Sequence, residues 1–210
     1  MAIVNKDNSY EGSIGDLIFY KSQGQNLVRF KQTEIKNPRT PAQQQHRMRF
    51  ATTSKFLKPF RDFVKESFDS YPGSKNGFSG AMSYNMQMGL KGGYPLFEVD
   101  YTNALISFGN AVLPEGLVIK KTNNSYELNW DNTLTEGAYD TDMIITVLCD
   151  ERCHRAFVSN GVHRKEGKCE IELPIGHQSI RCWVIVKANK YNWDHNWSMS
   201  WYGGVLNREI

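Results

Sequence analysis

Apolar residues in this chain follow two periods, and the switch between them outlines the fold. Near the start the period is two. Residues 15–20 and 26–30 predict two strands, with Leu17, Phe19, Val28 and Phe30 sharing one face. The polar stretch 22–25 contains Gly24, so the pair reads as a β-hairpin. Gly12 and Gly15 signal positive φ or a close backbone approach beside the first strand. Residues 1–13 read as an arm with a short strand at 2–4.

From residue 41 the period becomes three and four. Thr40 followed by Pro41 reads as a helix cap and a first-turn proline, because the hydroxyl accepts from an orphan N–H and proline has none to lose. Pro38 and Pro41 hold Asn37 and Thr40 extended, so the helix starts no earlier. Phe56, Phe60, Phe63, Val64 and Phe68 form one stripe. Pro59 sits inside the run and predicts a kink or break near residues 57–58. After a loop at 71–77, a second helix is predicted over 80–90. Ser79 caps it, methionines fill its packing face, and Lys91-Gly92-Gly93 ends it. Residues 97–101 and 104–108 are short strand candidates.

Beyond residue 113 short strands recur at regular spacing: 117–120, 126–130, 143–149, 156–158, 169–173, 182–188 and 197–201. Tyr126, Leu128 and Trp130 alternate with polar residues, as do Trp197, Met199 and Trp201. The nearly all-apolar run 143–149 predicts a central strand. Seven such strands predict a β-sandwich. The expectation is an α+β chain, with a β-hairpin/helical domain at 1–113 and a sandwich at 114–210.

Composition adds a charge contrast. In 210 residues, 40% hydrophobic and 12% aromatic content is enough for a packed core. The net charge of +3 is mild. However, residues 1–113 hold 14 Lys and Arg against 9 Asp and Glu, while residues 114–210 hold 11 against 13. The helical stretch concentrates the excess in Arg47, Arg49, Lys55, Lys58, Arg61 and Lys65. The plain reading of this face is solvation. The sharper readings are phosphate contact and a subunit interface. The N-terminus has neither a basic lead nor an apolar core of a signal peptide, and no run reaches membrane-spanning length. Synthesis in the cytoplasm is expected, with residence there or in a particle and no membrane partner.

Searching for chemistry leaves little. Gly12-x-x-Gly15 precedes a strand, so it is not a dinucleotide fingerprint, and no phosphate loop, nucleophile elbow or zinc-protease helix motif occurs. Cys149, Cys153, Cys169 and Cys182 read as reduced. The Cys149-x3-Cys153-His154 cluster hints at zinc, but core cysteine is the better reading of the apolar pattern. Asp140-x-Asp142 is a minimal calcium-like pair, better read as a strand-end turn. No catalytic residue, cofactor or metal is expected. Trp197 and Trp201 read as core. Tyr191 and Trp193 sit at a loop tip and read either as cover for a hairpin turn or as a stacking platform for a sugar or a protein.

Two resemblances follow from particular residues. Leu128-x-Trp130, Leu173-Pro174-x-Gly176 and Val184-x-Val186-x-Ala188 make the second half resemble a fibronectin type III module of the immunoglobulin-like class. Cys182 stands where that pattern has an aromatic, so the usual tyrosine corner is missing. The resemblance implies a spacer or binding module. The hairpin ending in Val28-Arg29-Phe30, followed by Asn37-Pro38-x-Thr40-x-Ala42-Gln43 and Arg47-x-x-Phe50, resembles a protein family of Bacteroidota and their phages to which no function is assigned.

These readings lead to a non-enzymatic structural protein, such as a ring, neck or tail component of a tailed-phage virion. It would act as a homo-oligomer or with other assembly proteins, its hairpin and arm pairing with neighbours by strand addition. The alternatives are a carbohydrate- or protein-binding module using Tyr191 and Trp193, and a nucleic-acid-associated protein using Arg47, Arg49, Lys55 and Lys58. An enzyme ranks last.

Overall fold

The computed structural model describes residues 3–4, 10–34, 37–122, 125–152, 154–189 and 197–208. The fold is α+β, with an N-terminal hairpin, helices and a C-terminal two-sheet sandwich. It divides into two compact units, 1–40 and 41–210. The boundary expected at 113 therefore falls inside the second unit.

The first unit is a single antiparallel sheet of β1 (Ile3–Val4), β2 (Tyr10–Ile14), β3 (Leu17–Ser22) and β4 (Gln25–Phe30), ordered β1-β2-β3-β4. The expected hairpin is β3–β4. Gln23 and Gly24 at its tip both have positive φ, 50° and 79°, as a two-residue turn matching strand twist requires. Leu17 lies opposite Phe30 and Phe19 opposite Val28, so the four residues share one face as their alternation predicts.

The second unit starts with α1 (Pro41–Leu57), a 3-10 turn at Lys58–Phe60 and α2 (Arg61–Ser67). The break falls where Pro59 requires it. α3 runs Gly77–Gln87, three residues earlier than the pattern suggests, because Asn76 is the cap: its side-chain oxygen accepts the Ser79 N–H at 2.9 Å. Gly77 lets the start of α3 approach α2, since a Cβ there would collide with the carbonyl oxygens of Val64 and Lys65. Residues 90–93 do not end the helix as loop. They form β5 (Leu90–Gly93), paired with β6 (Leu96–Val99).

The sandwich strands are β7 (Val118–Lys121), β8 (Tyr126–Asn129), β9 (Met143–Asp150), β10 (Ala156–Val158), β11 (Val162–His163), β12 (Lys168–Ile171), β13 (Ser179–Lys187) and β14 (Trp201–Asn207). One sheet has the order β12-β8-β7. The other has the order β10-β9-β13-β14, with β11 also pairing with β9. Tyr126, Leu128 and Trp130 face Ile144, Leu148, Cys182, Val184 and Val186 across the interior.

The larger sheet is buried on both sides. Even-numbered positions of β9 and β13 fill the sandwich. The odd-numbered Ile145, Val147, Cys149, Trp183 and Ile185 pack against Phe56, Leu57, Phe60, Val64 and Phe68 of the helices. Trp183 is fully buried, with ring centroids 5.4 Å from Phe60 and 6.2 Å from Phe56. The unit is thus three layers: small sheet, large sheet, helices. The sandwich shares its outer face with the helical stripe, so helices and sandwich pack together within the second unit.

Residues 104–108, expected as a strand, make no ladder. The segment is tied by single bonds: Ile106 N–H to Ser200 Oγ (3.0 Å), Ser107 Oγ to the Ser198 carbonyl (2.7 Å), and Phe108 N–H to the Ser67 carbonyl (2.8 Å). The last strand begins at Trp201. Upstream of it Ser198 and Ser200 point inward and Met199 is exposed. Trp197 packs against Phe63 in the helical core, whereas Trp201 packs into the sandwich core. Among the described residues no helix is long and apolar enough to cross a membrane.

Candidate functional site

The basic residues singled out from the sequence do not form one surface. At about 100° per residue, Arg49 points about 200° away from Arg47 on α1. Its guanidinium donates from Nη2 to the Met86 carbonyl of α3 and lies 5.7 Å above the Phe97 ring of β6. Arg49 therefore ties two helices and a strand together, and its Nε is buried without a hydrogen-bond partner. Arg47, Lys55 and Lys58 are exposed. Tyr191 and Trp193 lie outside the described residues.

Lys55 opens on a different feature. A cleft of ≈ 460 Å³ lies between the end of α1, the β5–β6 hairpin and the loop after β9. Phe56, Val99 and Tyr101 give it an apolar wall. Lys55, Lys91, Arg152 and His154 bring cationic or protonatable groups, and Glu98 and Glu151 bring carboxylates. The charges partly offset one another: Lys91 Nζ is 3.9 Å from Glu98 Oε2. The loop is held by Asp150, whose Oδ1 accepts the N–H groups of His154 and Arg155, both at 2.7 Å. Burial pushes the Asp150 carboxyl up. The Arg155 and His154 amides and the charges of His154 and His177 outweigh it and hold the carboxyl below its usual range. The Arg181 guanidinium lies 4.2 Å over the Tyr101 ring and donates to the Glu151 carbonyl. This arrangement offers mixed polar contacts around an aromatic wall.

Cysteine chemistry is suppressed by burial. The Cys169 thiol is pushed up to about 11 and the Cys182 thiol to about 12, each mainly by desolvation. Both are thiols at neutral pH and pack as small hydrophobes, the core role expected of them. Cys153 lies outside the described residues. Among the described residues, no group of three or more His, Cys, Asp and Glu side chains is placed to hold a metal.

The sandwich is pinned by residues that sequence reading missed. Asp142 is buried and paired with Arg164, Nε to Oδ2 3.4 Å, with both side chains 1% exposed. Asp142 also accepts the Tyr139 N–H (2.9 Å) and the Asn189 N–H (3.3 Å), while Arg164 donates to the Val112 carbonyl. The carbonyl of Arg164 accepts the Trp130 indole N–H at 2.7 Å. Asp142 is therefore a buried ion-pair partner within the turn it was expected to form. In place of a tyrosine corner, the Tyr126 hydroxyl accepts the Asn207 N–H and donates to its carbonyl, both at 2.8 Å. On the helical side the Asn85 carboxamide bridges the Ala81 and Leu105 carbonyls and accepts the Leu105 N–H. No local spacing announces these ties, because each joins residues brought together only by the fold.

The first unit exposes several large apolar side chains together. Tyr10, Ile14, Val28 and Phe30 are exposed on one face of its sheet, Phe30 by 77%. Every residue of β4 is exposed.

Comparison with curated proteins and with solved structures finds no match. A family model described as "Family of unknown function (DUF6266)" matches residues 9–185, spanning most of both units, and the chain belongs to that family.

Proposed function

We propose that this chain is a non-enzymatic assembly protein, a structural component of a tailed-phage particle such as its ring, neck or tail. The observation that carries the reading is the small sheet of unit 1. It exposes large apolar side chains on one face and an open strand along one edge. Monomeric proteins rarely leave such a surface uncovered, and joining other chains covers it. The second unit suits the role of a rigid body, because its large sheet carries a packed core on each face and its polar ties are buried. The resemblance of residues 28–50 to a family from Bacteroidota and their phages supports the particle setting. Arg49 is committed to α3 and β6, which weighs against the nucleic-acid alternative built on the basic helix face.

The test is occupancy. Particles purified from lysates of cells carrying the coding region are analysed by quantitative mass spectrometry. A fixed copy number per particle supports the reading. Recovery of the chain only in the particle-free fraction overturns it.

A further inference from the structure

We propose that two copies of this chain join edge to edge through β4, extending the unit 1 sheet across a two-fold axis. The inference rests on the assembly reading and names the contact it would use.

The first argument is size. Unit 1 spans 40 residues and has no cysteine to staple it. Single-core folds of about 40 residues or fewer ordinarily need a disulfide, a metal or a partner chain. Among the described residues unit 1 is one four-stranded layer, with no second layer of its own on which to bury its apolar face.

The second argument is which edge is left undefended. In unit 2, edge strand β7 ends in Lys120 and Lys121, and β12 carries Lys168 and Glu170. β14 contains Gly204 at φ 96° beside a register shift, and β10 is three residues long. Charges, bulges and shortness are the devices by which edges avoid pairing. β5 and β6 are four residues each and carry Lys91 and Glu98. On the far side of unit 1, β1 has two residues. β4 has six, with Arg29 as its one charge, no proline and no bulge. The edge that matches it in length and lack of protection is β4 of a second copy.

The third argument is register. The Lys31 N–H donates to the Asp16 carbonyl at 2.6 Å, which places odd-numbered positions toward β3. The N–H and C=O groups of Asn26, Val28 and Phe30 therefore point outward. Antiparallel self-pairing that keeps the apolar faces continuous must centre on a residue, not between residues. Centring on Arg29 opposes two guanidinium groups. Centring on Leu27 or Val28 does not, and in both registers Val28 N–H is a ladder donor.

The experiment is light scattering with sedimentation equilibrium on the full chain over a concentration series, together with hydrogen exchange. The wild type is expected at twice the chain mass. Val28→Pro removes one outward N–H and no bond to β3, so the mass halves. Val28→Thr keeps the N–H and stays at twice the mass. Protection of the Leu27 and Arg29 amides in Val28→Pro shows that the hairpin is intact. In the wild type the Asn26, Val28 and Phe30 amides exchange more slowly as concentration rises. A wild type at the mass of one chain throughout overturns the proposal. So does association that Val28→Pro leaves intact while those three amides exchange at a concentration-independent rate. Neither result touches particle occupancy, which tests the assembly reading separately.

Discussion

Replacing Arg164 with methionine tests how the sandwich is held at its Asp142 end. Methionine keeps most of the aliphatic stem and removes the charge. Asp142 then keeps its burial and its two amide donors, Tyr139 at 2.9 Å and Asn189 at 3.3 Å, but loses its counter-charge. The Val112 carbonyl loses its donor as well. Removing one member of a buried pair costs about 3–5 kcal/mol, because the remaining charge is neither solvated nor neutralised. For a unit of this length each kcal/mol lowers Tm by about 2–4 °C, so a fall of roughly 6–20 °C is expected by calorimetry. The pair itself contributes much less than this figure. Asp142→Asn combined with Arg164→Met removes both charges and retains one oxygen, enough to accept one of the two amides, so it should recover part of the loss. An Arg164→Met change within about 0.5 kcal/mol of wild type, as for an ordinary surface site, would refute the reasoning. So would a double variant no more stable than the single one.

Phe60→Ala removes a fully buried ring wedged against Phe56 and Trp183. It should cost about 3–5 kcal/mol in chemical denaturation, with one transition for helices and strands together. Native protein at pH 8 should leave buried Cys182 unmodified by a thiol reagent and half-buried Cys169 slow to react, with full labelling appearing on unfolding; prompt labelling of Cys182 contradicts its burial. Their folded pKa values lie above the ordinary thiol value of 9.0, so the folded state holds these protons more tightly. That contribution is complete below pH 9 and is lost as pH rises toward 11–12. Urea midpoints measured from pH 8 upward should therefore fall, and the fall should be smaller in Cys182→Ala.

Features with local causes were legible in the sequence. Pro41 starts α1 and Pro59 breaks the helix because proline acts on its own turn. The β3–β4 hairpin could be read because its two strands and its turn lie within fourteen residues, Leu17 to Phe30. β2 escaped because Tyr10-Glu11-Gly12-Ser13-Ile14 offers a glycine where an apolar residue would mark the alternation. The start of α3 was misplaced because Asn76 and Ser79 are both good caps, and only hydrogen-bond geometry distinguishes them. The composition shift near residue 113 marks the change from helices to strands, which is not where the units divide. The apolar run of β9 predicted a central strand without showing that Phe56 and Phe60 cover its outer face. At the candidate site, charge could be counted but not placed. Lys55 lines a cleft and Arg49 is drawn inward because of α3, β6 and the loop after β9, all distant in sequence.

The account stands on helices and sandwich being one cooperative body, which native-state hydrogen exchange on the full chain tests directly. Amides of α2 and of the last turn of α1 should open with the same free energy as those of β9 and β13, and Phe60→Ala should lower all of them by the same amount. Helical amides that exchange far faster than the strands, with the strands unaffected by Phe60→Ala, would contradict it.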